Sequence, residues 1–237
     1  GIGRAVVDAL ASRGAHVFVL DLEASIERHP VPEGVRALAM DGNNSKSVGQ
    51  AVAQIEIEVG GLDGLVNLIG YSVERQPIEA YTDALWQDVI GGNLDSAFYV
   101  ARAAMPLLRS GKTSSLVNVS SGLALKCVPG YGGYPVAKAG VMALTRLLAQ
   151  EAAPHVRANC IAPSAVETAF LTGGTGRGGE APGRQVALDV DAYLKTVPLA
   201  RLAQPDDIVG PVLFLLSNAS AYVTGQTLHV NGGTLMV

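Results

Sequence analysis

The chain is poor in the residues that would assign it an easy class. Among 237 residues there are two cysteines, one tryptophan and four histidines, and aromatics make up 5%. Cys127 and Cys160 carry no metal-ligand spacing, so no metal is expected, and two thiols cannot form a disulfide framework. They are expected to be buried or half-buried thiols of a reducing compartment, which makes the cytoplasm the expected location. Basic charge is scarce as well: 17 Lys and Arg against 21 Asp and Glu leave a net charge of −4. With no Lys/Arg cluster, this excludes the electrostatic footprint of a nucleic-acid or anionic-membrane binder. The longest strongly apolar run, 208–216, is far too short to span a bilayer. The start shows no basic region ahead of an apolar core, so no secretory leader is expected. Repeats and interdomain linkers are absent too. What remains is 49% hydrophobic, enough for one large core, and the expected organisation is a single domain over 1–237.

What is present is an alternation. After Gly1-Ile2-Gly3, an apolar stripe of Val6, Val7, Leu10 and Ala11 predicts a helix to Arg13, with Gly14 as its stop. Strands are expected at 16–20, closing on Asp21, and at 35–40, ending at Asp41. Further strands are expected at 62–69, 115–120, 156–161 and 227–230, with helices at 45–59, 83–109, 134–152 and 205–217. Near-continuous apolar strands between amphipathic helices predict an α/β fold with a doubly wound parallel sheet covered on both faces. The one composition shift is 172–184, rich in Gly and Arg. The surrounding 169–198 is either a plain surface loop or a substrate lid.

The stretch at 117–138 organises the rest. An apolar strand ends in two serines, a loop of Gly and Pro follows, and a helix starts at Tyr134. Tyr134 and Lys138 stand one turn apart and share a helix face. A phenol titrates near ~10, and bringing it to roughly 7 would take about 4 kcal/mol, which a lysine and a bound cationic ring could supply in a dry cleft. Tyr134 would then be a general acid/base matched to its working pH. Pro135 directly after Tyr134 requires both to lie in the first turn, where a missing N–H costs nothing.

With Ser121 placed 13 positions before Tyr134, the set resembles the catalytic group of the short-chain dehydrogenase/reductase family, whose fold is a Rossmann-like doubly wound sheet. The resemblance implies that Ser121, Tyr134, Lys138 and Asn93 are catalytic. Asn93 would hold a water linking Lys138 to solvent; otherwise it is a polar residue bending its helix. The residues implied to bind a dinucleotide begin with Gly1, Ile2 and Gly3 at the first helix N-terminus, where free N–H groups favour a pyrophosphate. Asp21 stands where the adenosine ribose would be held and favours NAD over NADP, or else it caps the next helix. Asp41 and Gly42 would meet the adenine. Asn67 and Gly70 resemble the ends of the family's Asn-Asn-Ala-Gly, with bulkier Leu68 and Ile69 between them. Pro163, Val166 and Thr168 resemble Asn-x-x-x-Pro-Gly-x-Val-x-Thr and would hold the nicotinamide, with Ser164 in place of the usual Gly. Tyr134 and Lys138 would also touch the nicotinamide ribose. Asn231 stands where an Asp is more usual. The family's first strand and first glycine are not present ahead of Gly1.

The activity implied is NAD-dependent interconversion of a secondary alcohol and a ketone by a small-molecule enzyme, a homo-oligomer (tetramer or dimer) built on two long helices. Leu125, Val128 and Tyr131 suggest an apolar substrate pocket. A 3-oxoacyl-(acyl carrier protein)-type reductase shares these motifs. Asp21 argues against its usual NADPH, and Arg177 and Arg184 keep it open. A non-catalytic dinucleotide-binding subunit is the alternative of another class.

Overall fold

The computed structural model describes residues 1–73, 75–171 and 188–237. Among the described residues six strands, all paired in parallel, form the sheet: β1 (Phe18–Asp21), β2 (Arg36–Ala39), β3 (Gly64–Asn67), β4 (Ser114–Val119), β5 (Val156–Pro163) and β6 (Thr227–Val230). Their hydrogen bonds divide it into two pieces, β1-β2 and β3-β4-β5-β6. The pieces are nonetheless one layer of one core. Phe18 and Leu20 of β1 share an apolar cluster with Leu38 of β2, Leu65 of β3 and the helices α3 (Ser45–Val59) and α5 (Ser96–Arg109).

Helices cover both faces, and the strands show why. In β4 and β5 the side chains alternate between the two faces, as strand geometry requires. Leu116, Ala158, Cys160 and Ala162 pack toward α5 and α6 (Gly133–Ala152). Val117 and Ile161 pack the other way, toward α1 (Ile2–Ala11) and α8 (Pro205–Leu216). Every residue of β4 is buried: Leu116, Val117 and Val119 are apolar, and the side chains of Ser114, Ser115 and Asn118 donate to the Leu62 carbonyl, the Leu215 carbonyl and the Thr145 hydroxyl. The doubly wound parallel α/β fold expected from the alternation is therefore present.

Several details differ from expectation. Helix α2 (Glu23–Arg28) and α7 (Val190–Leu194) carry too little periodicity to be read from sequence. The strand expected at 62–69 is only Gly64–Asn67. The long helix expected at 83–109 is α4 (Asp83–Ile90) and α5, joined by a wide π-type turn over Gly91–Asp95. Gly91 and Gly92 permit that turn. A Cβ on Gly92 would run into the ring of Tyr71. The segment 172–184 proposed as a lid core, with Arg177 and Arg184, lies outside the described residues. No helix among the described residues is long and apolar enough to cross a membrane.

Candidate active site

Strand β4 delivers Ser120 and Ser121 at its carboxyl end, and α6 returns beside them. Ser120 donates to the Lys138 carbonyl at 2.6 Å, pinning the first turns of α6 to the strand. Ser121 is extended, and its hydroxyl accepts from the Leu123 N–H at 3.2 Å. Helix α6 begins at Gly133, so Tyr134 and Pro135 are its second and third residues. Proline is thus confined to the first turn, as its missing N–H demands.

Tyr134 is 7% exposed and Lys138 4%. The ammonium stands 5.9 Å from the Tyr134 ring centroid. It donates to the carbonyls of Ile69 (3.2 Å) and Val119 (3.1 Å), tying the end of β4 to the loop after β3. The lowered phenol pKa expected from the sequence includes a bound cationic ring, and the protein's own groups act in the other direction. Burial pushes it up to about 12, against the pull of a hydrogen bond with Ser121, and nearby Tyr131 raises it further. Burial also brings Lys138 down to about 8, with Cys160 opposing. In both groups the loss of water on burial outweighs every other influence on the pKa.

Asn93 is fully buried in the wide turn. Its Oδ1 accepts from the Tyr71 N–H (3.2 Å), while Nδ2 donates to the carbonyls of Tyr71 (2.9 Å) and Val89 (2.9 Å). It therefore braces the loop after β3 from the turn that bends its own helix. Gly70 separates Asn93 from Lys138. A Cβ there would stand 2.6 Å from Asn93 Oδ1 and 2.7 Å from Lys138 Nζ, so only glycine lets both approach.

The other sequence-predicted residues lie along the carboxyl ends of the strands. Asp21 ends β1 with an exposed side chain that accepts from the Leu22 N–H at 2.7 Å. It thus meets the chain just ahead of α2, whose own N-cap position is Leu22. Asp41 follows β2 and accepts from the Asn43 N–H at 2.9 Å. A Cβ on Gly42 would lie 2.9 Å from Ile69 Cδ1. Asn67 ends β3, donating to Asn118 Oδ1 (3.3 Å) and accepting from Ile69 N–H (3.2 Å). Pro163 ends β5, Val166 pairs with Ala203, and the Thr168 hydroxyl donates to the Val166 carbonyl at 3.3 Å. The Thr168 methyl lies 3.6 Å from where a Cβ on Gly1 would be, and Gly3 faces Leu68. Ile2 packs into the apolar cluster of α1 and α8.

This edge fits a dinucleotide. The first turn of α1 carries no side-chain cap and no acidic residue, which leaves its N–H groups and dipole available to an anion. Glycines keep the approach open on both sides, and one oxygen of Asp21 has no partner among the described residues.

Sequence reasoning missed a polar chain beneath the site. Asn67 is linked through Asn118 to Thr145 of α6, the last bond being 3.0 Å. The signal was an asparagine between two valines in a strand expected to be buried. It also left Ser164 unexplained. In the structure the Ser164 hydroxyl bonds the Tyr193 hydroxyl, which also accepts from the Ala165 N–H at 3.3 Å, so α7 is fastened to the loop after β5.

Known proteins share this arrangement. A family model described as enoyl-(acyl carrier protein) reductase matches residues 1–234. The 3-oxoacyl-[acyl-carrier-protein] reductase FabG of Vibrio harveyi is 32% identical over 245 residues, covering 100% of this chain and 94% of the relative. Among solved structures, a short-chain dehydrogenase/reductase (glucose/ribitol dehydrogenase) from Brucella melitensis has a TM-score of 0.87 at 30% identity, covering 100% of this chain and 93% of that one. The aldohexose dehydrogenase of Thermoplasma acidophilum has a TM-score of 0.87 at 26% identity, covering 99% and 89%.

Proposed function

The chain belongs to the short-chain dehydrogenase/reductase family of oxidoreductases, and from that premise we propose that it moves hydride between NAD(H) and a secondary alcohol or ketone. The observation that carries the reading is the enclosure of Tyr134, 7% exposed, on the first turn of α6 with the Lys138 ammonium 5.9 Å from its ring centroid, beside Ser121 at the end of β4. When bound, the nicotinamide supplies the hydride donor or acceptor. The chain's own residues do the rest. Ser121 donates a hydrogen bond to the substrate oxygen and polarises it. In the reducing direction Tyr134, a phenol protonated at neutral pH and held further toward that form by burial, which raises it to about 12, gives that oxygen its proton. In the oxidising direction the phenolate must take the proton, and Lys138 is the only cation of this group that can stabilise it. Asn93 holds the backbone of Tyr71 so that the Gly70 passage and the lysine keep their places. Asp21 would accept from the adenosine ribose, and its charge disfavours the extra phosphate of NADP. Gly1, Ile2, Gly3, Asp41, Gly42, Asn67, Gly70, Pro163, Val166 and Thr168 would line the rest of the cofactor's path. A homo-oligomer through α5 and α6 belongs to the same reading, supported by exposed Phe98 and Leu147 on those helices.

The second reading, reduction of a 3-oxoacyl thioester, is favoured by the full-length likeness to FabG. One experiment separates the two. NADH and NADPH are titrated in parallel by fluorescence, and the preferred cofactor is then used with a panel of short ketones and a 3-oxoacyl thioester. Tighter NADH binding with ketone turnover is expected. Tighter NADPH binding with turnover of the thioester alone would select the second reading, and cofactor binding without any turnover would leave a non-catalytic subunit.

A further inference from the structure

On the substrate side of Tyr134, the loop after β3 meets the loop leading into α6. The Gln76 N–H donates to the Gly130 carbonyl at 3.0 Å. Gly130 has φ +88°, a conformation that favours glycine, and a Cβ there would stand 3.2 Å from that of Arg75. This close seam lays Arg75 on Tyr131. The guanidinium carbon is 4.4 Å from the ring centroid, and Nη2 donates to the Tyr131 hydroxyl at 2.5 Å. The Tyr134 N–H donates to the Tyr131 carbonyl at 3.1 Å, so the two tyrosines are neighbours where α6 begins. A cation is therefore held one tyrosine away from the reacting proton.

Arg75 differs from the arginines that do have partners. Arg4 pairs with Asp8, Arg36 with Glu58 and Arg201 with Asp207, whereas Arg75 has no carboxylate among the described residues. It is half-buried, and its Nε is enclosed without a hydrogen-bond acceptor. Partial removal of a guanidinium from water costs free energy that a stack on tyrosine only partly offsets, since such a stack contributes roughly 0.5–2 kcal/mol. An anion within reach of the guanidinium would supply the rest. Tyr131 takes one edge of the fork and fixes its plane, which leaves Nη1 to a ligand. A planar carboxylate is the natural complement of a planar guanidinium.

We propose that Arg75, steadied by Tyr131, binds a carboxylate of the substrate, so that the reacting alcohol or ketone belongs to a short hydroxy- or oxo-acid. This replaces the apolar pocket expected from Leu125, Val128 and Tyr131, and it rests on the oxidoreductase reading above. It also sets the reading apart from an acyl thioester, whose carboxyl group is masked and uncharged.

The test compares 3-hydroxybutyrate with its uncharged methyl ester in the full-length protein. The wild type is expected to favour the acid by roughly 10- to 100-fold in kcat/KM, the range of one charge-assisted hydrogen bond. Arg75→Gln should erase most of that ratio, and Arg75→Lys should keep part of it. A wild type that does not favour the acid, or a ratio unchanged in Arg75→Gln, overturns the proposal. Calorimetric titration with butyrate, with and without NADH, gives a readout independent of turnover. Butyrate should bind the wild type and lose about tenfold or more in Arg75→Gln, with inorganic phosphate as the competing anion. Equal butyrate binding by the two, or phosphate binding in preference to butyrate, overturns the carboxylate assignment. If neither compound turns over, the oxidoreductase reading fails separately, and the butyrate titration still decides the role of Arg75.

Discussion

The β4-β5 half of the sheet and the β1-β2 half are made of the same parallel strands, yet they are enclosed very differently. All six residues of β4 are buried, and it is paired on both sides. β1 and β2 have one buried residue between them, Leu38. Ser121, Tyr134 and Lys138 hang from the enclosed half, where packing fixes angles and keeps water out. Asp21 hangs from the open half, with its side chain in solvent. Proton transfer needs tenths of an ångström and a controlled dielectric, while choosing between two cofactors needs only a charge in the right place. On the proposed reading, the molecule supplies each demand from the region able to meet it.

That contrast can be broken most forcefully at Tyr134. Tyr134→Phe removes one oxygen from the enclosed half without disturbing the core, and kcat should fall by about 10²–10⁴. A variant that turns over its substrate at the normal rate would remove the chemistry from this half altogether. The next effect is on stability. Leu116 of β4 is 0% exposed, and Leu116→Ala should cost about 2–5 kcal/mol in denaturant unfolding. Leu20 of β1 is only half-buried, so Leu20→Ala should cost about 1–2 kcal/mol, in proportion to the smaller area it hides. Equal losses would mean that the two halves are enclosed alike in solution.

Lys138 gives a smaller effect with a definite sign. The unfolded chain holds that proton to about 10.5 and the folded chain only to about 8. Its stability penalty is therefore full below about 8, and it fades as pH rises toward 10.5. Between about pH 7 and about 9.5 the wild type should gain about 2 kcal/mol relative to Lys138→Met, read from urea midpoints at the two pH values. Parallel pH profiles would show that the lysine titrates as it does in water. Smallest of all, Asp21→Asn on the open half should lower the NADH-over-NADPH preference by about tenfold and leave the melting temperature within a degree or two. A large drop in stability would show that the exposed carboxylate has a structural task.

The fold was legible because its signals were long. Val117, Leu116 and Ile161 sit in strands apolar on both faces, and the stripe of Val6 and Leu10 has the helical period, so sheet and helices could be placed from pattern. The six residues of α2 are fewer than two turns, too few for a period to show. The positions of Ser121, Tyr134, Lys138 and Asn93 were legible from their resemblance to known motifs, but their energetics were not. Nothing in the sequence reveals that the phenol and ammonium are both enclosed, and enclosure decides the direction of both shifts. Arg75 was invisible for a related reason. Its meaning lies in its stack on Tyr131 and in having no carboxylate partner among the described residues, which only the surrounding loops disclose.

The wide turn between α4 and α5 amounts to a phase shift written into one helix. Each residue of a regular helix turns the chain by about 100°, so one extra residue in a turn rotates everything beyond it against everything before. Trp86 and Val89 lie before the turn, close against Gly133 where α6 begins. Ala101, Ala104 and Leu108 lie after it and face the sheet. A straight helix could satisfy one of these surfaces and would miss the other. Deleting a single residue from 91–95 would thus behave as an error of phase rather than of composition: every side chain would survive, and the two ends of the helix would no longer point to their own partners.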